Sequence, residues 1–573
     1  MTQIKPALTG ILLLLLAACS LTPEAGRVES DSDKETAASY TEDEWSDEVL
    51  FHLRAAQQAG GGEEHQEGIR RLLEAAQEQQ DIDLVRQAAG MAWRTDQWPA
   101  LITVTDEWLR QDPASQDARR LGILARLNAD QSDQAVDAMR RWLEQDPNDA
   151  ERRLQRDVVQ ILAAAESIDR APQYLDRLIE AAGFDPEDGP ALLARSRLYW
   201  EIGDPHRALD LAKKAADRRE QREELSWAAQ LASALEDHET ALGLYQRARA
   251  VAPDAWTLGL AEAQTLRNLN RLDEALTVLA ELPASPDVLY SQASYRFEAG
   301  QAEAARESWQ QLADWAPVED SDQHAFMVAW LAEYLELPEQ AASWYARVRG
   351  GPQVDRAMIR RAVLLATDGR LAEARQLLKL ARDTEQPDQR ERAYLVEAEI
   401  LADRGEHDEA LLLLSEALRE SPNSIALLYA RAITAVESDD LGLAEQDLRR
   451  IIRIDGENAM ALNALGYTLT DRTSRHSEAY RLIRRALELA PEEPAILDSM
   501  GWVYFRLGQP ETALPYLERA AAGEDNPEIL AHLAEVLWHL DQTERAGEVL
   551  REASLRHPDN EDLTDVAQRL EIR

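Results

Sequence analysis

The stretch AHLAEVLWHLDQTERAGEVLREASLRHP, residues 531–558, decides the fold. In it Ala534, Ala546, Ala553 and Pro558 stand twelve, seven and five residues apart, with Leu533, Leu537 and Leu550 at helical period around them. Small residues at those spacings let two short antiparallel helices approach closely, and a proline beyond the second ends it and turns the chain. The pattern returns at Ala229, Ala241 and Ala248 before Pro253, at Gly501, Ala513 and Ala520, and at Ala398, Ala410 and Ala417 before Pro422. One register position recurs at Leu101, Ala135, Ala171, Ala208, Ala241, Ala275, Ala305, Ala341, Ala374, Ala410, Ala444, Ala479, Ala513 and Ala546, a mean step of about 34 residues.

These residues match the tetratricopeptide (TPR) signature, so the expected fold is all-α, a right-handed superhelical α-solenoid of helix pairs. A weaker unit stands at Ala55, Gly68 and Ala75. Two steps are irregular and predict kinks: Leu282-Pro283-Ala284-Ser285-Pro286 shortens one turn, and Gly183 to Pro190 lengthens another. The expected organisation is a signal peptide over 1–18, an acidic tether over 19–43, an array of about fourteen or fifteen helix pairs over 44–560, and a polar capping helix over 561–573.

The 573 residues carry a formal net charge of −44 and are 45% hydrophobic and 29% charged. That is a globular balance, but phosphate backbones would meet repulsion instead of counterion release, which argues against nucleic acid as a partner. The lysines are Lys5, Lys34, Lys213, Lys214 and Lys379, and arginine supplies the other cations. Acid excess with so little lysine suits concentrated salt, where the Debye length shrinks from about 8 Å toward about 3 Å. A high-GC genome with a generic acidic surface is the alternative.

The chain's one cysteine is Cys19, which excludes an internal disulfide and a Cys-rich zinc site. It follows Lys5, an apolar run from Ile11 to Ala18 and the sequence Leu16-Ala17-Ala18; the run is too short to span a bilayer and reads as an export signal. The small residues before Cys19 resemble the lipobox of bacterial lipoproteins. The resemblance implies that Cys19 begins the mature chain and carries diacylglycerol and an N-acyl group, and, since Ser20 is not the Asp that often signals inner-membrane retention, that the chain sits on the periplasmic face of the outer membrane. Several acyl chains, at about 0.8 kcal/mol per buried CH₂, make such attachment durable. The Glu-, Asp- and Ser-rich segment after it has a reach of about 25–30 Å.

No phosphate loop, His-Glu-x-x-His pair or nucleophile elbow is present, so the expected role is not enzymatic and needs no cofactor or metal. His532, Glu535 and His539 share one helix face, but without a further ligand nearby they read as surface polar residues. Projecting each first helix from its small residue puts Tyr290, Phe297, Phe326, Trp330, Tyr429, Asn463, Tyr467, Asp498, Trp502 and Phe505 toward a concave groove. Aromatic anchors flanked by polar groups suit a partner helix or peptide, and inter-repeat packing is the other reading of each.

Two C-terminal segments go beyond generic repeats: Asn458-Ala-Met-Ala-Leu-Asn-Ala-Leu-Gly-Tyr-Thr-Leu-Thr-Asp-Arg-Thr473, and Pro494-Ala-Ile-Leu-Asp-Ser-Met-Gly-Trp502. With the lipobox, the Ser46-Asp-Glu-Val-Leu-Phe51 start and the length, they resemble the outer-membrane TPR lipoproteins that partner the periplasmic carboxyl-terminal processing protease. The resemblance implies a non-catalytic adaptor that holds and activates this serine protease and presents substrates such as peptidoglycan cross-link hydrolases. The same array could serve as an assembly scaffold or pilotin-like lipoprotein for secretion, pilus or exopolysaccharide export.

Overall fold

The computed structural model describes residues 62–315, 321–384, 386–558 and 560–570. The signal peptide, Cys19, the tether and Ala55 lie outside them. Among the described residues the regular structure is helical, and no helix is long and apolar enough to cross a membrane.

Contacts divide the chain into two units, one over residues 29–315 and one within 316–573. The first opens with the helix Gly62–Gln79 and then runs through seven helix pairs, from Ile82–Arg94 with Trp98–Gln111 to Pro286–Glu298 with Ala302–Ala313. The second holds seven more, from Ser321–Tyr334 with Pro338–Tyr345 to Pro527–His539 with Thr543–Arg556, and closes on Glu561–Arg569. In each unit a helix packs chiefly on its sequence neighbours, as repeat architectures require.

All fourteen register residues lie on the second helix of a pair and are no more than 1% exposed. Steric room explains the choice of residue. A Cβ on Gly501 would stand 2.5 Å from Leu517 Cγ and 3.2 Å from the Ala513 carbonyl, and one on Gly466 would collide with Ile483. Helices in such contact cannot tolerate a larger side chain at the crossing point.

A second periodic device was not read from the sequence. The first helix of twelve pairs is followed by a residue with positive φ: Asp96, Asp130, Gly203, Glu236, Asn270, Gly300, Glu336, Gly369, Gly405, Asp439, Gly508 and Asp541. At Gly203 its N–H bonds the Trp200 carbonyl at 3.1 Å and the following Asp204 N–H reaches back to Tyr199 at 2.8 Å, a left-handed helix stop. The Asp204 side chain then accepts from the Arg207 N–H, capping the next helix.

The irregular steps have local causes. The helix Leu272–Glu281 is 10 residues long and ends at an extended Leu282, with Ser285 capping the next. Gly183 at φ 75 and the Asp188 cap bound the longer loop. A π-helical turn at Leu154–Val158 interrupts another first helix, which the spacing did not foretell. The terminal helix Glu561–Arg569 is capped by Asn560 and turns Leu563 and Val566 inward.

Candidate functional site

Three first helices in the C-terminal unit, Ala459–Arg472, Pro494–Arg506 and Pro527–His539, present equivalent positions side by side. Asn463, Asp498 and His532 occupy one such row and Tyr467 and Trp502 the next, so residues about one repeat apart become neighbours. His532 Nδ1 stands 3.0 and 3.1 Å from the two oxygens of Asp498. The Trp502 ring stacks on the imidazole with centroids 4.0 Å apart, and Phe505 stacks on Trp502 at 5.2 Å. The Tyr467 hydroxyl donates to Glu528, two repeats ahead in sequence.

Charge in this cluster is finely balanced. Burial works against a protonated His532, but Asp498, with help from Glu528 and Asp471, outweighs it and raises the imidazole to about 9. Burial pushes the Glu528 carboxyl above its usual range, and burial followed by the Glu528 charge holds the Tyr467 phenol well above its own. Asp562, on the terminal helix, is raised as well, by burial first. At neutral pH the cluster therefore holds an imidazolium among carboxyl groups. Trp502 Nε1 and Asn463 Oδ1 have no hydrogen-bond partner among the described residues. Both atoms are buried, so the cluster keeps one unsatisfied donor and one unsatisfied acceptor inside it.

Of the ten residues expected to face a groove, two lie in the N-terminal unit and eight in the C-terminal unit. Tyr290 and Phe297 are half-buried in the N-terminal unit. In the C-terminal unit Phe326 and Trp330 stack at 6.4 Å, with Phe326 edge-on to Tyr345 of the second helix. Tyr429 is buried in the core cluster that also holds Leu414 and Leu428, and Asp498, Trp502 and Asn463 are buried to a similar degree. Tyr467, Asp498, Trp502 and Phe505 come together as described, with Asn463 at the equivalent position of the preceding first helix.

His532 and Glu535 also depart from their reading as surface polar residues, since both are buried. The terminal helix covers that face: Arg569 pairs with Glu535 at 2.9 and 3.0 Å, and His539 Nδ1 contacts the Glu535 carbonyl at 2.9 Å. Among the described residues no group of three or more His, Cys, Asp or Glu side chains converges to hold a metal. The signal that could have found His532 was its place 34 residues beyond Asp498.

The tetratricopeptide-repeat family matches residues 227–288, 388–425, 429–494 and 504–570. A TPR repeat-containing protein of Pseudomonas aeruginosa is 42% identical over 210 residues, which is 37% of this chain and 35% of that protein. The type IV pilus assembly protein PilF of the same organism is 27% identical over 138 residues, 24% of this chain and 54% of its own length. The chain thus spans about a third and about half of these relatives. Among solved structures, a tetratricopeptide repeat protein from Parabacteroides merdae is 16% identical with a TM-score of 0.37, covering 44% of this chain and 99% of its own. The Cut9–Hcn1 complex of the APC/C is 13% identical with a TM-score of 0.33, covering 85% and 96%. By its helix pairs and its buried small-residue register the chain is an all-helical array of tetratricopeptide-type helix pairs, similar over those four stretches to the tetratricopeptide-repeat family.

Proposed function

We propose that this protein is a non-catalytic, lipid-anchored scaffold on the periplasmic face of the outer membrane. In this reading it binds and activates a carboxyl-terminal processing protease and presents peptidoglycan cross-link hydrolases to it. The observation that carries a binding role is the C-terminal cluster, where Tyr467 and Phe505 offer half-buried aromatic faces beside the Asp498–His532 pair and Trp502. Aromatic anchors with polar groups between them are how proteins grip a polypeptide. The protease enters through the segments 458–473 and 494–502, which resemble its lipoprotein partners and build this same cluster.

A scaffold of this kind works through effective concentration: tethered partners meet as if at about millimolar concentration. Activation further requires that the scaffold prefer the active arrangement of the protease over the inactive one. The similarity to a pilus assembly protein favours a second reading, an assembly scaffold for an export or pilus machine.

The test is an affinity pull-down of a soluble Cys19→Ser chain from its own cell extract, repeated with Trp502→Ala. Retention of a carboxyl-terminal processing protease, lost in the variant, supports the adaptor. Retention of pilus or export-channel subunits instead replaces it with the second reading.

A further inference from the structure

Trp93, in the last turn of the helix Ile82–Arg94, is 40% exposed, and Trp98 opens the helix Trp98–Gln111 that follows. Between them the positive φ of Asp96 turns the chain back. The two indoles therefore meet edge to face, with centroids 5.6 Å apart and planes at 77°, a preferred aromatic geometry. Trp98 packs in part against the core beneath, and Trp93 is the outer of the two rings. A second contact fixes Trp98: its Nε1 donates to Glu166 Oε1 at 3.1 Å, across 68 residues of chain. Glu166 in turn donates its main-chain N–H to Asn128 Oδ1 at 3.0 Å. Asn128 ends the helix Gln116–Asn128, and Glu166 follows Val159–Ala163. The turns after three successive first helices are thus tied together along one edge of the N-terminal unit.

What surrounds the open indole is polar. Gln66 Nε2 donates to Gln97 Oε1 at 2.7 Å, and Gln97 Nε2 to the Thr95 carbonyl at 3.1 Å. Asp96 and Asp130 are exposed, with Arg170 3.9 Å from the Asp130 carboxylate. Glu166 is exposed as well, and its carboxylate has no cationic partner among the described residues. A flat apolar ring rimmed by amides and carboxylates is not how a protein hot spot is built, since there the aromatic anchor is closed in by contacts that exclude water. It matches a pyranose instead. An equatorially substituted sugar ring has a flat face of axial C–H bonds and a rim of hydroxyls. The face packs on an indole through dispersion, and the hydroxyls donate to carboxylates and exchange hydrogen bonds with amides.

We propose that the edge formed by Trp93, Trp98 and Glu166 binds a neutral glycan chain, one pyranose stacking on the open face of Trp93 and a neighbouring hydroxyl donating to Glu166. Trp98 is a positioning residue, held by Glu166 from one side and holding Trp93 from the other. The neutrality of the ligand follows from charge: the unpaired Glu166 carboxylate, in a chain of net charge −44, repels uronic or phosphorylated sugars. The site lies on turns, apart from the C-terminal cluster, and does not depend on the scaffold reading.

The test is isothermal titration of the full soluble Cys19→Ser chain with chitohexaose and, separately, with an oligogalacturonide of the same length. A parallel sedimentation uses vesicles of phosphatidylcholine and phosphatidylglycerol. Chitohexaose is expected to bind saturably and the oligogalacturonide not to bind. Trp93→Ala is expected to weaken chitohexaose at least about tenfold with an unchanged thermal melt. Trp93→Leu, which keeps apolar bulk without the flat face, and Glu166→Ala test the same site if Trp93→Ala does not fold, and a loss of at least about fivefold is expected of each. No saturable binding of chitohexaose up to about 10 mM, or binding by the folded variants within about twofold of wild type, overturns the inference. Equal binding of the oligogalacturonide overturns the neutral-glycan assignment. Vesicle binding that depends on Trp93, without binding of chitohexaose, also overturns it and assigns the indoles to a membrane surface.

Discussion

Gly501 shows how a single position carries the fold. It lies in a first helix, where glycine is disfavoured by about 1 kcal/mol relative to alanine, and it is there because Leu517 and the Ala513 carbonyl occupy the space a Cβ would need. Gly501→Ala is therefore expected to destabilise the C-terminal unit by about 1–3 kcal/mol despite its better helix propensity, read as a lower urea midpoint. An unchanged midpoint would mean that the pair can move apart at no cost. The left-handed helix stops make the opposite prediction. Glu236 adopts φ 60 where Gly203, Gly300 and Gly369 serve the same turn in other pairs. A side chain is strained there, so Glu236→Gly should stabilise by about 0.5–1 kcal/mol, against a loss if Glu236 makes a contact that outweighs the strain. Asp447 gives a third case. It is buried and holds Arg431 through two hydrogen bonds, at 2.7 and 2.8 Å, linking the first and second helices of one pair. Asp447→Ala leaves that guanidinium without its partner and is expected to cost about 3–5 kcal/mol, visible as faster amide exchange across Ile425–Glu437 and Leu441–Ile454. Protection equal to wild type in both helices would show that Ser415, 3.0 Å from Arg431, suffices.

Between elements, the row formed by Asp498 and His532 ties two consecutive first helices together through a charge. The imidazole is raised from 6.5 to about 9 in the folded protein. A group with a raised folded pKa contributes its full stability below the unfolded value and loses it as pH rises through the folded one. The contribution is therefore present at pH 6.5 and below and falls away between about pH 6.5 and 9, by up to about 3 kcal/mol. The carboxyl of Glu528, also raised in the folded state by burial, acts in the same direction over a lower pH interval, and Asp471, Asp498 and Asp562 also act on the same imidazole or share its field. Melting curves of wild type and His532→Gln from pH 6 to 9.5 check this: the wild type should lose stability across the interval and the variant should be flat over it. Parallel slopes would place the pH dependence elsewhere. Whether an inter-repeat contact of this kind exists depends on what the 34-residue step brings together. Arg267 with Glu298 and Arg569 with Glu535, 31 and 34 residues apart, are ion pairs of similarly long sequence separation, and arginine's fork suits them better than a lysine ammonium.

For the whole molecule, a net charge of −44 is a self-repulsion that salt screens within about a Debye length. Raising the salt from low to molar concentration should increase the melting temperature by about 5 °C or more. A melting temperature independent of salt would show that the arginine-carboxylate pairs already neutralise the field locally, and would set aside the high-salt reading of the composition. The repeat order has a mechanical consequence too. Since each helix pair contacts mainly its neighbours, damage such as Asp447→Ala should stay local in exchange measurements, with the N-terminal unit unaffected.

Much of this architecture was legible because it is steric and short-ranged. Two helices twelve residues out of phase can touch only through small side chains, so Ala534 with Ala546 and Gly501 with Ala513 announce a pair wherever they occur, and Asn560 announces the start of the last helix through its own side chain. The polar clusters were another matter. His532 is the same residue whether it points to water or to Asp498, and only the packing of Pro494–Arg506 and Glu561–Arg569 around it makes it a buried imidazolium. Tyr429 has the helix position of a groove residue, and neighbouring leucines close over it. Arg356 lies over Phe326 and Trp330, whereas Arg360, one turn along the same helix, is held by Glu333. By itself, then, the sequence determined the helix pairs, their step and the small residues at their crossings, since those follow from contacts within one repeat. Burial and charge state were decided only in the tertiary structure, because each depends on side chains about a repeat apart whose distances no local pattern records.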